Sequence, residues 1–430
     1  RARSPTRGYL TCPILKVAAA AAPTASLPFD PVFGEMFGHF TLARAFCHPL
    51  CCTSLQRVYR RYWNPYQKTL DVGHRGLGKS HHKSRPEYRL SGIKENSLMS
   101  FIVAGMLGAD FIEFDVLLTA DRTPVVYHDM EIESSIQEEG DQSEGDPLVV
   151  GVHQLSLRQI ERCRFAFKPK HPCRFKQLVH RHMDAILTYT ENGRRLLRER
   201  LLRKKTPRLL RLLESIPTLK SLFYCIPSWV GFNIEIKYPI ECKHSHLRGL
   251  REYELNAYID RILECVFVHA GDRRIFFSCF DPDVCMLLHQ KQPRYPVFFL
   301  TCAGTCTDFV DQRCLSIEQA CSFAKAEGLQ GIVTESTCIL EDPMLASRIQ
   351  RDGLIVITWG DKNTELDNVV RQKKMGVDGI ISDNISDLTR MQGKSHNVFR
   401  DDLDLVGATL PRLLPVDKRM AEDFNAFRAK

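Results

Sequence analysis

The chain has 430 residues, 44% hydrophobic and 26% charged, the composition of a protein that buries a core rather than of a disordered chain. Its formal net charge is +8, and residues 194–211 carry the whole surplus, with nine arginines and lysines against the single acid Glu199. The remaining charges balance, which does not fit a diffusely basic nucleic-acid-binding face, and no apolar run reaches the ~18–20 residues needed to cross a bilayer.

Residues 1–61 show many breakers (Pro23, Pro28, Pro31, Gly34, Gly38) and no sustained period, so a poorly structured or truncated N-terminal segment is expected there. Its first 25 residues contain arginine and much alanine but no acid, a weak likeness to a transit peptide. From Leu70 the texture changes to short β-rich runs at 70–74, 111–117, 124–128, 231–237, 274–279, 296–301, 331–334, 354–359 and 377–382. Amphipathic stretches at 95–107, 253–269, 282–290, 316–327 and 365–375 separate most of them. Strand and helix alternating in this way predict parallel strands joined by crossover helices, an α/β (β/α)8 TIM-type barrel. Nine runs are one too many. The second and third are only six residues apart, too close for a crossover helix, and are expected to form a hairpin-like extension.

After that third strand comes a long insertion, 131–217. It opens with seven acids and no base between Glu131 and Asp146 and ends in the arginine-rich block. An insertion of this length is expected on the loop face, over or beside the active site. The chain therefore divides into residues 1–61, a barrel over 62–395 carrying the insertion, and a tail over 396–430. None of the sixteen cysteines forms a C-x-x-C pair, and several (Cys265, Cys279, Cys285) sit in apolar runs. They read as reduced, structural thiols, which favours a cytoplasmic protein.

The chemistry gathers at the strand ends. The first run finishes His74-Arg75-Gly76, the second contains Glu113-Phe-Asp115, the third finishes His128-Asp129, and the fourth contains Glu235-Ile-Lys237. Residues i and i+2 of a strand share a face, so Glu113 pairs with Asp115 and Glu235 with Lys237. Three carboxylates from two strands make a hard-oxygen site for Mg²⁺ or Ca²⁺, and the absence of soft ligands disfavours zinc. Two histidines beside such a cation can supply a general acid and a general base. Arg75 can clamp a phosphate oxygen, and Gly76 permits close backbone approach. Taken singly these are a turn, a solvated strand face, a core histidine and a buried ion pair. Together, at strand ends, they predict a catalytic site for phosphoryl chemistry.

These residues, with Glu95-Asn96, Gly108-Ala109-Asp110 and Pro124-Val-Val-Tyr-His128-Asp129, resemble the glycerophosphodiester phosphodiesterases over about residues 62–395. The stretches Tyr62-Trp63-Asn-Pro, Phe277-Ser-Cys-Phe-Asp281-Pro-Asp283 and Trp359-Gly360-Asp361 are most similar to the glycerophosphocholine phosphodiesterase subgroup. The resemblance implies hydrolysis of a small-molecule glycerophosphodiester to glycerol 3-phosphate and an alcohol, here choline, with a divalent cation. It carries over Glu113, Asp115 and Glu235 as metal ligands, His74 and His128 as the acid–base pair, and Arg75 and Lys237 as phosphate contacts. Glu95 matches a supporting residue. Trp359, at the end of the eighth-unit strand, matches an aromatic lining the pocket, where a quaternary ammonium would favour its ring.

Three departures stand out. Many relatives have glycine where Arg122 stands, so the turn is expected to do without a positive φ. Residues 1–61 are too short for the β-sandwich that usually precedes this barrel. The basic block has no counterpart in the family pattern. Two alternatives therefore stay open: a lysophospholipase D with the same site, or a non-catalytic protein that docks on anionic membranes or partners through a basic amphipathic helix within 194–211.

Overall fold

A computed structural model of the chain describes residues 68–80, 93–134, 148–162, 215–243, 253–306 and 308–391. The N-terminal segment 1–61, the basic block 194–211 and the tail 396–430 lie outside the described residues. Eight strands run parallel: β1 (Leu70–Gly73), β2 (Phe111–Leu118), β6 (Gly231–Ile236), β7 (Ile275–Cys279), β8 (Val297–Thr301), β9 (Gly331–Glu335), β10 (Ile355–Trp359) and β11 (Gly379–Ser382). Each pairs with the next, and β1 pairs with both β2 and β11, so the sheet closes on itself as the sequence predicts. Closure removes free edges and lets both faces be buried, which explains the near-continuous apolar strands.

The ninth run is the expected extension. β3 (Pro124–Val126) turns back antiparallel along the outer half of β2, pairing Val116 with Val126 and Leu118 with Pro124. The turn between them corrects one expectation: Arg122 takes φ +56°, so arginine occupies the left-handed region where glycine is favoured. Its amide donates to the Thr119 carbonyl at 2.8 Å, and its carbonyl accepts from the Arg261 side chain. The turn geometry is retained at a steric cost.

The insertion falls between the second and third barrel strands. Its described part adds an antiparallel hairpin that the sequence did not reveal, β4 (Glu131–Ser134) with β5 (Leu148–Gly151), and a short helix α2 (Leu157–Arg162). Ile132, Val152 and Ile160 pack with Leu117, Val125 and Ile216 in a small satellite core.

The helices follow the sequence periodicity and are capped as their sequences dictate. Ser97 caps α1 (Leu98–Met106), Glu254 caps α4 (Leu255–His269), and Asp281, followed by Pro282, caps α5 (Pro282–Lys291). Ser316 caps α6 (Ile317–Ala326), while α9 (Leu366–Lys374) turns only Val369 and Gln372 fully inward. The sequence reading did not register α3 (Leu219–Cys225), α7 (Ser336–Glu341), α8 (Leu345–Arg351) or α10 (Ile385–Met391), all six or seven residues long and too short to show a clear period. No helix among the described residues is long and apolar enough to cross a membrane. The ten described cysteines are all free thiols, and burial pushes Cys302 and Cys321 up to about 12.

Inside the barrel, Val72, Phe111, Phe276, Phe298, Val333, Ile357 and Ile381 form a packed plug. The plug makes this a core and not a pore. One step further along each strand, two residues on, the same inward face changes character and the site begins.

Candidate active site

Strand periodicity places each functional side chain. On β2, Phe111 belongs to the plug, and Glu113 and Asp115 follow it on the same face. On β6 the inward series is Gly231, Asn233 and Glu235, with Lys237 just beyond the strand. The register sets Glu113 beside Asn233 and Asp115 beside Glu235. One carboxylate oxygen from each of Glu113, Asp115 and Glu235 lies within 4.8 Å of the others. His128 arrives by a different route. Because β3 doubles back along β2, the Tyr127 amide bonds to the Asp115 carbonyl at 3.1 Å, and the next residue is set down at the rim of this cluster.

The first strand ends in a tight loop. The Arg75 amide donates to Glu113 Oε2 at 2.8 Å, and its guanidinium meets Glu95 at 2.6 Å and Asp115 at 3.7 Å. Glu95 thus buttresses Arg75. Arg75 (φ +47°) and Asn96 (φ +53°) both sit in the left-handed region, a strain of about 1–3 kcal/mol each that the surrounding bonds must hold. Gly76 at φ +89° is obligatory, since a Cβ there would lie 2.4 Å from Ser100 Oγ. Asn96 donates to Asp115 at 2.9 Å, and Lys237 reaches Glu235 at 3.0 Å and Asp115 at 3.6 Å.

Each histidine is oriented by a carboxylate. His74 Nδ1 lies 2.6 Å from Asp383 and His128 Nδ1 lies 2.7 Å from Asp129. An ionised carboxylate only accepts, so the ring proton sits on Nδ1 and leaves Nε2 as the working nitrogen. His74 Nε2 is 3.9 Å from Glu113. Asp383 was missed in the sequence, although it occupies the same place after the last strand that His74 occupies after the first.

The three acids do not share one electrostatic fate. Burial, then repulsion from Asp115 and Glu235, raises Glu113 well above the usual carboxyl range. Burial also pushes on Asp115, but Lys237, Arg75 and His128 together hold it down to about 2. Arg75 and Lys237 are raised despite burial, chiefly by Asp115 and by Glu235 respectively. Of the three acids, Glu113 is therefore the one whose charged form is least favoured without a counter-charge. Glu113 Oε1 is buried without a hydrogen-bond partner. A partnerless acceptor within a three-carboxylate cluster fits a hard divalent ion of the Mg²⁺ or Ca²⁺ kind.

A small open cavity of about 170 Å³ lies over the cluster. His74, Arg75, Lys79, Glu113, His128, Glu235 and Lys237 form one wall, and Phe280, Leu300, Trp359 and Ile381 form another. Glu95 and Asp115 stand behind the first wall. Trp359 ends the seventh barrel strand rather than the eighth, because the extension β3 is not a barrel strand. Its indole donates to the Thr301 carbonyl at 3.1 Å and meets Phe280 edge-on at 5.6 Å.

Fold and site together define a (β/α)8 barrel with a hard-cation carboxylate cluster, two carboxylate-oriented histidines and paired cationic side chains. The family model for the glycerophosphoryl diester phosphodiesterase family matches residues 74–387, and the chain belongs to that family. A glycerophosphocholine phosphodiesterase of Rattus norvegicus is 31% identical over 84% of this chain and 50% of its own length. A glycerophosphodiester phosphodiesterase of Arabidopsis thaliana is 32% identical over 79% of this chain and 82% of its own length. A crystal structure from Silicibacter pomeroyi bearing the same family name shares the fold, with a TM-score of 0.52 and 19% identity over 78% of this chain and 98% of that one. The chain spans about half the length of the rat relative.

Proposed function

We propose that the chain hydrolyses glycerophosphodiesters, glycerophosphocholine foremost, to glycerol 3-phosphate and the free alcohol. The observation that carries this reading is the convergence of two carboxylate-held histidines on a cation-ready cluster flanked by Arg75 and Lys237. Glu113, Asp115 and Glu235 would hold the divalent cation. When bound, that ion supplies charge stabilisation to the phosphoryl oxygens. Arg75, now paired with Glu95, and Lys237, now paired with Glu235, would contact the phosphate oxygens. Of His74 and His128, one takes a proton at Nε2 from the water that attacks phosphorus, and the other, protonated at Nε2 as well, gives that proton to the oxygen of the departing alcohol. The choline preference is carried by the relatives that bear that name and by the aromatic wall of Phe280 and Trp359, which suits a quaternary ammonium.

Domain limits of 62–395, flanked by 1–61 and 396–430, and a reducing cytoplasmic setting for the free thiols belong to the same proposal. The test is a substrate panel of glycerophosphocholine, glycerophosphoethanolamine, glycerophosphoinositol and a lysophospholipid with Mg²⁺ or Ca²⁺. Choline release fastest from glycerophosphocholine is expected, and Glu113→Ala or His74→Ala should lower it by ~10³-fold or more. Full turnover in either variant would sink the residue roles, and faster turnover of the lysophospholipid would favour a lysophospholipase D. Deleting 194–211 is expected to leave turnover unchanged, and liposomes rich in anionic lipid would report whether that block docks on a membrane.

A further inference from the structure

Beside the carboxylate cluster, and lining the same cavity, is a polar pair with no role so far. Asn233 is fully buried on β6 in register with Glu113, and Ser278 is equally buried on β7 in register with Glu235. Ser278 Oγ donates to Asn233 Oδ1 at 2.8 Å. That bond sets the amide: its oxygen faces Ser278, so its Nδ2 points elsewhere. Nδ2 has no hydrogen-bond partner, and neither has Glu113 Oε1 on the neighbouring strand. A buried donor and a buried acceptor left unpaired cost about 1–3 kcal/mol each, and such orphans gather where a structure awaits a ligand.

Of the other donors of the site, Arg75 Nε is also unpaired but lies 3.7 Å from Asp115, and the rest are committed. The Arg75 amide serves Glu113 Oε2, Asn96 serves Asp115, and Lys237 serves Glu235. The opposite amide orientation would set the Asn233 oxygen toward a carboxylate oxygen, acceptor against acceptor, while the Ser278 hydroxyl can donate or accept and anchors the amide in place.

We propose that Asn233 is a positioning residue for Glu113: its Nδ2 donates to Oε1 when the cluster holds a divalent cation, and Ser278 anchors the amide beside it. The bond fixes the carboxylate, so that the ligand oxygens meet the cation without a further ordering cost. Outer partners of metal-binding side chains contribute about 10–100-fold in metal affinity. The inference rests on the reading that Glu113, Asp115 and Glu235 hold the cation.

The experiment titrates Ca²⁺ or Mn²⁺ into the chelator-treated full chain by calorimetry, in the wild type and in Asn233→Leu, Ser278→Ala and Ile357→Val. The leucine is nearly isosteric but cannot donate, and cation affinity should fall by about 10–100-fold. Ser278→Ala frees the amide to turn and should weaken affinity about threefold, which serves if Asn233→Leu does not fold. Ile357→Val trims the same barrel interior away from the pair and should lower the melting temperature while leaving affinity within twofold. With saturating cation, Asn233→Leu should recover kcat on glycerophosphocholine to within threefold, because its defect lies in loading. Wild-type affinity in both Asn233→Leu and Ser278→Ala, or equal weakening in Ile357→Val, would overturn the proposal alone. A wild-type chain that binds no cation would overturn the carboxylate-cluster reading itself, and the positioning role with it.

Discussion

The two halves of the barrel mouth are built from the same strand geometry and do different work. Barrel strands one, two, three and eight end in His74, Glu113 with Asp115, Glu235 with Lys237, and Asp383, all charged or titratable. Strands four, five and seven end in Phe280, Leu300 and Trp359, while Glu335 on strand six caps the following helix instead of facing the cluster. The polar half is held by ion pairs and by backbone in strained conformations. The aromatic half is held by packing, with Phe309 stacked behind Phe280 and the Trp359 indole tied to a carbonyl. Under the proposed function, bond-breaking belongs to one side and recognition of the alcohol to the other. Substitutions on the first should therefore move kcat, and substitutions on the second should move KM and substrate choice.

The largest effect short of deleting a ligand or a histidine is expected at Asp383. Asp383→Asn keeps the shape but removes the charge that holds His74 by its Nδ1, and kcat for choline release should fall about 100-fold. A loss confined to KM would move Asp383 out of the acid–base machinery. On the aromatic side, Trp359→Ala should raise KM for glycerophosphocholine about tenfold and change KM for an uncharged-alcohol diester by less than threefold, consistent with ~1–2 kcal/mol for a cation over a desolvated ring. Equal losses on both substrates would erase the proposed division.

A subtler effect concerns pH. A carboxyl raised in the folded state contributes stability that is present below its ordinary value of 4.5 and lost as pH rises through the raised one. Without cation, the wild type should lose melting temperature above pH 5 relative to Glu113→Gln. Added Mg²⁺ or Ca²⁺ should restore it in the wild type only. Asp115 acts in the opposite sense, contributing stability above its ordinary value of 3.8 that disappears as pH falls toward about 2, so the two effects separate along the pH axis. Identical melting profiles for the two proteins between pH 5 and 8 would contradict the raised Glu113.

The smallest expected change lies outside both halves. Arg122→Gly relieves the left-handed strain in the β2–β3 turn and should stabilise the chain by about 0.5–1 kcal/mol in denaturant titration with turnover unaltered. A destabilised variant would show that Arg122 contributes more than the backbone strain it imposes.

Much of this was legible in one dimension, and for stated reasons. Alternating strand and helix periods announce a parallel barrel because each period buries a different face. The i, i+2 rule places Glu113 with Asp115, and Glu235 with Lys237, before any coordinates exist. The short loop between the second and third runs likewise forces a hairpin, as found. What stayed hidden depended on partners far away in the chain. Asp383 lies 309 residues from the histidine it orients. Asn233 and Ser278 look like ordinary strand residues until the register sets them against Glu113 and Glu235, and Phe280 looks like core until the cavity exposes it.

The sequence by itself therefore determined which chemistry is present: three acids, two histidines, an arginine and a lysine at strand ends, with the +8 surplus kept apart in 194–211. Local periodicity and turn length suffice for that, because they depend on neighbours within a few residues. The tertiary structure alone decided which acid is raised and which is lowered, which carboxylate orients which histidine, and that Phe280 and Trp359 share a wall of the cavity. Those depend on burial and on charge pairs formed only when β1 closes against both β2 and β11.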